Sequence, residues 1–293
     1  MQSKSIIAIA FIICSLTASG WVGVDSPTKR QGHQIVAPGE SGSFTDLSED
    51  ERKELVWMAK AANAAYPGVP KPLGYRSFSR REWDACAAGC NEFVYTKDGY
   101  FNIGSSGLRG RLMVNMLNEG RVILALSGVD SIKQGWDEFL KDIKQCVSHY
   151  IGIKTAQYEQ ALKIMNGVLS SKPRTDLWIV GHSLGGSLTT YLALHLPEGR
   201  IRIKCATFNG YGLSPRFKCG SEKETLAAGR LRNVYCEGDP IYNNVLTMKL
   251  QLPGARHLGP SYSLKCEGDW LVQHSVDNMV RLMIAKRSRW PGL

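Results

Sequence analysis

The sequence predicts an α/β fold with a mostly parallel central sheet and helices on both faces. Three observations carry this expectation. From Asp176 onward, short apolar runs alternate with helix-period runs, and parallel strands need such crossover helices to pair. The 293 residues, 43% hydrophobic and 21% charged, can bury a substantial core and exclude a disordered or collagen-like chain. Finally, residues 46–293 show no internal repeat, low-complexity tract or second linker, so they are expected to form one domain.

The segment before that domain has its own pattern. Met1–Gly20 carries one charge, Lys4, then the apolar run Ile6–Ile13 and the small residues Ala18-Ser19-Gly20. This is the layout of a secretory signal peptide cut after Gly20, and the run is shorter than the ~20 residues that span a bilayer. The protein is therefore expected to be exported. Losing Lys4 takes the formal charge from +10 to +9, and losing Cys14 takes the cysteines from eight to seven. An oxidising compartment would pair some of the seven and leave at least one unpaired. Cys205, inside an apolar strand pattern, is the candidate for a buried free thiol. Cys86 and Cys90 lack a second pair or histidine cluster at zinc spacing, so no metal site is expected.

Residues 21–45 are rich in Gly, Pro, Ser and charge without periodicity and read as a flexible leader. Ser48-Glu49-Asp50-Glu51 is a capping box that opens a helix running to about Ala65, stopped by Pro67 and Gly68. A second box, Ser79–Glu82, opens a short helix carrying Cys86. Strand patterns follow at Glu92–Thr96, Tyr100–Ile103, Arg111–Leu117 and Arg121–Leu126, separated by turn residues. Helical stretches are expected near Lys133–Cys146 and Thr155–Ser170, then the apolar strand Asp176–Val180. Beyond it come a helix Leu184–Leu196, a strand Ile201–Phe208, a short helix Glu222–Ala228, a strand Leu231–Cys236 and a last helix from about Leu271 to Lys286.

Between strand Asp176–Val180 and the helix after it lies Gly181-His182-Ser183-Leu184-Gly185. The pattern G-x-S-x-G is short enough to recur by chance, but a strand enters it and an amphipathic helix leaves it. That context suits a nucleophile elbow, in which Ser183 sits in a strained turn above the sheet. Gly181 and Gly185 would let strand and helix approach, and Leu184 N–H, at the helix N-terminus, could donate to a developing oxyanion. Serine needs a base, and the base needs an orienting carboxylate. Three histidines lie downstream. His195 sits among leucines on the helix leaving the elbow and reads as structural; His257 and His274 remain. Asp239, in Glu237-Gly238-Asp239-Pro240-Ile241, follows a strand at its C-terminal end, where a parallel sheet gathers its site.

The elbow, the Gly-Asp-Pro-Ile turn and the segment Leu124–Ile143 resemble bacterial relatives of the class 3 lipases, which have the α/β-hydrolase fold. The resemblance covers roughly Ser48–Ile284. In that family a strand ends in Arg-Gly-Ser/Thr, with Trp and Asp soon after. Here the run is Leu126-Ser127-Gly128-Val129, followed by Trp136 and Asp137 or Asp142. The resemblance implies a Ser183–Asp239–His274 triad, with His257 as the alternative base. It also implies an oxyanion hole from Leu184 N–H and Val129 N–H. Val129 keeps the N–H but lacks the family's supporting hydroxyl. His274 is preferred because His274-Ser275-Val276-Asp277 opens the last helix, where relatives carry a His-Ser-hydrophobic-Asp run.

The implied activity is hydrolysis of carboxylic esters of lipids through an acyl-enzyme, with no cofactor or metal. A hydrolase fold that binds lipid or a partner without turnover is one alternative, motivated by Val129. A soluble short-chain esterase or acyltransferase is another. Lysine and arginine outnumber aspartate and glutamate 36 to 26, which favours anionic partners. The cations are dispersed and match no nucleic-acid motif, so no nucleic-acid partner is expected. Lys286-Arg287-Ser288-Arg289-Trp290 would suit an anionic membrane surface, or equally complement a helix end. Oligomeric state has no signature in the sequence.

Overall fold

A computed structural model describes residues 41–86, 93–129, 155–198 and 201–287, apart from breaks at 97, 119, 172–175, 211, 215–216, 218, 240 and 244–254. In chain order the strands and helices are β1 (Gly42–Ser43), α1 (Glu49–Asn63), β2 (Tyr75–Ser77), α2 (Arg80–Cys86), β3 (Phe93–Tyr95), β4 (Tyr100–Ile103), β5 (Leu108–Asn115) and β6 (Arg121–Leu126). They continue with α3 (Ala156–Ser171), β7 (Asp176–His182), α4 (Leu184–His195), β8 (Arg202–Phe208), α5 (Ser221–Arg230), β9 (Leu231–Cys236), β10 (Ser261–Leu264), α6 (Trp270–His274) and α7 (Val276–Arg287).

The described strands form one sheet in the order β1-β10-β9-β8-β7-β6-β5-β4-β3, with β2 paired to β5. Every pairing from β1 to β6 is parallel, and the antiparallel ones are confined to the β2–β6 corner. This is the mostly parallel sheet with helices on both faces that the sequence predicts. Alternation along the strands divides the core in two. Leu177, Ile179, Leu124 and Cys205 face a layer containing Ile164, Leu188 and Leu192 of α3 and α4. Trp178, Val180, Ile123 and Ala206 face Val56, Met58, Met279 and Met283 of α1 and α7. Both caps form as the sequence directs. Ser48 Oγ accepts from Glu51 N–H at 3.3 Å while Ser48 N–H donates to Glu51 at 3.1 Å, and Ser79 and Glu82 exchange the same bonds.

At the N-terminal end of β7, Asp176 is 1% exposed and accepts from Arg121 Nε at 2.7 Å and Arg202 Nη2 at 3.1 Å. The Arg121 guanidinium lies over the Trp178 ring, 4.8 Å from its centroid. Cys236, closing β9, is disulfide-bonded to Cys266, 30 residues on. Cys205 is a buried free thiol, and burial pushes it up to about 12.

Several boundaries differ from the sequence expectation. The leader does not extend to residue 45, because Gly42 and Ser43 pair with Tyr262 and Ser263, and Phe44 is fully buried. The strand expected at Arg111–Leu117 lies at Leu108–Asn115, and Met116 and Leu117 form the exposed tip of its hairpin with β6. β2 and β10 have no counterpart in the sequence reading. The last helix is two helices, broken at Ser275, whose ψ is 124°, so His274 ends a helix instead of opening one. The signal segment, most of the leader, the helix expected at Lys133–Cys146 and the residues Trp136, Asp137 and Asp142 lie outside the described residues.

Candidate active site

The turn between β7 and α4 consists of Ser183 alone. Its φ of 56° and ψ of −123° fall where side chains are disfavoured, so the surrounding contacts must hold it. Its N–H donates to Phe208 O of neighbouring β8 at 3.1 Å. Glycine is required around it: a Cβ on Gly181 would lie 2.0 Å from Gly185 O, and one on Gly128 would lie 2.6 Å from Ser183 Cβ.

Three sequence-predicted residues meet here from three elements. Ser183 Oγ lies 2.9 Å from His274 Nε2, and His274 Nδ1 lies 2.6 Å from Asp239 Oδ2. Asp239 is fully buried in the turn after β9, where its Oδ1 accepts from Ile241 N–H at 2.9 Å and Tyr242 N–H at 2.7 Å. Asp239 therefore accepts three hydrogen bonds, and the one to Nδ1–H fixes the tautomer that leaves His274 Nε2 to accept from serine. His274 keeps 17% of its side chain exposed, whereas Ser183 is 6% exposed.

The other candidate histidines go elsewhere. His257 is buried, stacked on Tyr242 with ring centroids 4.0 Å apart, and its Nε2 lies 3.3 Å from Tyr242 O. His195 Nδ1–H donates to Tyr191 O of its own helix at 2.8 Å. Leu184 begins α4 directly after the serine. Val129, on the strand-end loop after β6, packs with Ile241 against Leu184 and Ala255, so the segments bearing the two candidate oxyanion N–H groups are in contact. Among the described residues, no group of three or more His, Cys, Asp or Glu side chains is clustered as metal ligands.

Sequence reasoning missed a second polar chain behind the serine. Gly128 N–H donates to Tyr66 Oη at 2.9 Å, Tyr66 Oη lies 2.6 Å from His182 Nδ1, and His182 Nε2 lies 2.6 Å from His274 O. A carbonyl only accepts, so His182 carries its proton on Nε2; the neutral ring then accepts at Nδ1 from the Tyr66 hydroxyl. Burial, reinforced by repulsion from His274, pushes the His182 imidazole down to about 3. Beside it, buried Asn209 donates through Nδ2 to Gln273 O at 2.8 Å and accepts from Cys236 N–H at 2.9 Å. Asn209 sits at φ 46°, a region that Asn tolerates better than most residues. Tyr66 lies 116 residues from His182 in the chain and has no local signal. His182 sat inside the elbow motif without an assigned role.

Residues 57–259 match a family described as phospholipase-like, with a Tle-like phospholipase domain. A protein of Vanderwaltozyma polyspora assigned as the lipase ATG15 is 25% identical over an alignment of 273 positions that covers 80% of this chain and 41% of that protein. The chain thus spans about two fifths of that relative's length. Among solved structures, the Lip2 lipase of Yarrowia lipolytica aligns with 84% of this chain and 93% of its own, at 14% identity and a TM-score of 0.49. A triacylglycerol lipase of Penicillium expansum aligns with 78% of this chain and 86% of its own, at 15% identity and a TM-score of 0.44.

Proposed function

The chain belongs to the Tle-like phospholipase domain family, and on that premise we propose that it is an exported serine hydrolase cleaving carboxylic esters of lipids. The observation that carries this reading is the unbroken line Ser183 Oγ, His274, Asp239, with contacts of 2.9 Å and 2.6 Å. In the proposed reaction His274 Nε2 takes the Ser183 proton as Oγ attacks the ester carbonyl. The carbonyl π pair moves onto oxygen, and the oxyanion is held by Leu184 N–H and Val129 N–H. Collapse expels the alkoxide, which takes the proton back from His274 and leaves as the alcohol. Water, deprotonated by the same imidazole, then hydrolyses the acyl-enzyme and restores Ser183. Asp239 stabilises the imidazolium at both stages. The loss of a hydroxyl at Val129 leaves two backbone donors for the oxyanion.

The apolar cluster of Leu184, Ala255, Val129 and Ile241 supports acyl-chain binding beside the serine. The strand end Leu126-Ser127-Gly128-Val129 supports a place among bacterial class 3 relatives. Export draws support from the Cys236–Cys266 disulfide and the signal-like residues 1–20, and the basic chain suits an anionic membrane surface. The catalytic body is proposed to be one domain that begins with β1.

The test is fluorophosphonate labelling of the purified chain against Ser183→Ala, followed by an ester chain-length series with and without an interface. Labelling confined to wild type, with long-chain turnover raised at the interface, is the expected result. A folded wild type that takes no label would replace this reading with the non-catalytic lipid-binding one. Equal turnover of short esters without an interface would replace it with the soluble esterase.

A further inference from the structure

We infer that Tyr66 is a positioning residue that ties the oxyanion loop to the backbone of the base, with His182 as the link between them. The inference rests on the Ser183–His274–Asp239 reading above and extends it to residues outside the triad.

Four hydrogen-bonding groups in series form the tie. Gly128 N–H donates to Tyr66 Oη, the Tyr66 hydroxyl donates to His182 Nδ1, and His182 Nε2–H donates to His274 O, over 2.9, 2.6 and 2.6 Å. Each direction follows from donor chemistry: the amide can only donate, the carbonyl can only accept, and a neutral imidazole does one of each. With His182 neutral and its proton on Nε2, Nδ1 has no hydrogen to give, so the Tyr66 hydroxyl is the donor of the middle bond. The chain therefore has one polarity only, and that polarity needs His182 uncharged. Its burial at 5% exposure supplies that condition, and its downward shift agrees.

What the tie connects gives it a catalytic consequence. At one end, Gly128 precedes Val129, whose N–H is the proposed second oxyanion donor, and fixing the Gly128 amide restricts the direction of the peptide that follows. The same glycine packs so closely on Ser183 that an added Cβ would come within 2.6 Å of the serine Cβ and 2.9 Å of Tyr66 Oη. At the other end, the His274 carbonyl belongs to the residue whose ring faces Ser183. Asn209 holds the adjacent carbonyl, Gln273 O, at 2.8 Å. Two successive carbonyls are thus withdrawn from helical bonding, and the chain turns extended at Ser275, with ψ 124°. These two side chains hold the break that aims His274 at Ser183, together with Ser275 Oγ, which accepts from Asn278 N–H at 3.5 Å. A shift of an ångström in such geometry costs up to about a hundredfold in rate.

The role is separable from packing because Tyr66→Phe removes one oxygen and keeps the ring. Wild type, Tyr66→Phe, His182→Gln, His182→Leu and Tyr66→Phe/His182→Leu should be compared for fluorophosphonate labelling rate and for kcat and KM on a soluble short-chain ester. Thermal unfolding would be followed alongside. Tyr66→Phe is expected to lower labelling rate and kcat by roughly 10- to 100-fold with KM within about twofold. His182→Gln, which accepts at one end and donates at the other, should stay within about tenfold of wild type, and His182→Leu should match Tyr66→Phe. The double variant should lose little more than either single, as members of one chain do.

Tyr66→Phe within about twofold of wild type in kcat would overturn the inference while leaving the triad intact. So would a loss in KM alone, or strictly additive losses in the double variant. If Tyr66→Phe does not fold, the ranking of His182→Gln above His182→Leu decides, and equal rates for the two overturn the inference. A wild type that takes no label, or one labelled equally after Ser183→Ala, is a different failure: the triad reading falls and this inference with it.

Discussion

The two ends of β7 each bury polar chemistry, and they do so in opposite ways. At the N-terminal end, Asp176 meets two guanidiniums, at 2.7 and 3.1 Å, one of them lying over Trp178. Its countercharge is permanent. At the C-terminal end, the buried carboxylate that serves the Ser183 turn is Asp239, and it meets a histidine ring and two backbone N–H groups. Its formal countercharge arises only when His274 takes a proton. A buried acid with fixed partners holds strands together, whereas one whose partner can become charged is free to stabilise a transient state. Asp176 opens β7 and Ser183 follows its last residue, so one strand spaces the two arrangements although Asp239 comes from the turn after β9.

Breaking each end should separate rate from stability. Asp239→Asn would let the new amide donate to His274 Nδ1, forcing the proton onto Nε2 and removing the acceptor for serine. Loss of about 10⁴-fold in kcat with little change in unfolding is expected from ester turnover and urea titration. Next in size is a pH effect from the neutral link. His182 is held down to about 3, while the unfolded imidazole titrates near 6.5. Between those values the unfolded chain binds the extra proton, so stability falls as pH drops from about 6.5 and levels off near 3, by about 5 kcal/mol. Urea unfolding across that range should show a shallower slope in His182→Gln than in wild type, most visibly between about pH 5 and 6.5, above the range where the paired carboxylates titrate.

Asp176→Asn should do the reverse of Asp239→Asn. Two guanidiniums would be left facing a neutral amide, and because both reach solvent the cost is softened to about 2–3 kcal/mol. The kcat of the folded fraction should be unchanged, and a fall in kcat beyond the loss of folded protein would show that the two ends are coupled. The smallest effect belongs to His257→Ala. It removes a stack on Tyr242, worth about 1 kcal/mol, and Tyr242 in turn donates its N–H to Asp239, so kcat should stay within about tenfold. Complete inactivation there, with His274→Ala active, would move the base to His257.

How much of this is readable in the sequence depends on whether the cause is local. The β7–α4 elbow is legible because a five-residue motif, an apolar strand and an apolar helix are contiguous. Asp239 and His274 are legible less directly, through their positions after a strand and within a His-Ser run. β1, β2 and β10 are not, since two to four residues offer no period, and their pairing depends on a neighbour already in place. The break at Ser275 is equally silent. Ser275 can cap a new helix, and its Oγ accepts from Asn278 N–H at 3.5 Å, but the carbonyls before it are taken by Asn209, just past β8, and by His182 of β7. Tyr66 is the extreme case, since its role depends on groups brought together only by the finished fold.

The Cys236–Cys266 bond also bears on how this chain survives damage. Its 30-residue span starts three residues before Asp239 and ends eight before His274. A protease cutting anywhere inside the loop would leave Ser183 on one fragment and His274 on the other, yet the sulfur link would keep them a single covalent molecule. Closing a loop of that length is worth about 3–4 kcal/mol of restrained unfolded-state entropy. A clipped, unreduced chain therefore keeps Ser183 and His274 at high mutual concentration, and adding a reductant to that clipped form turns a nick into a dissociation.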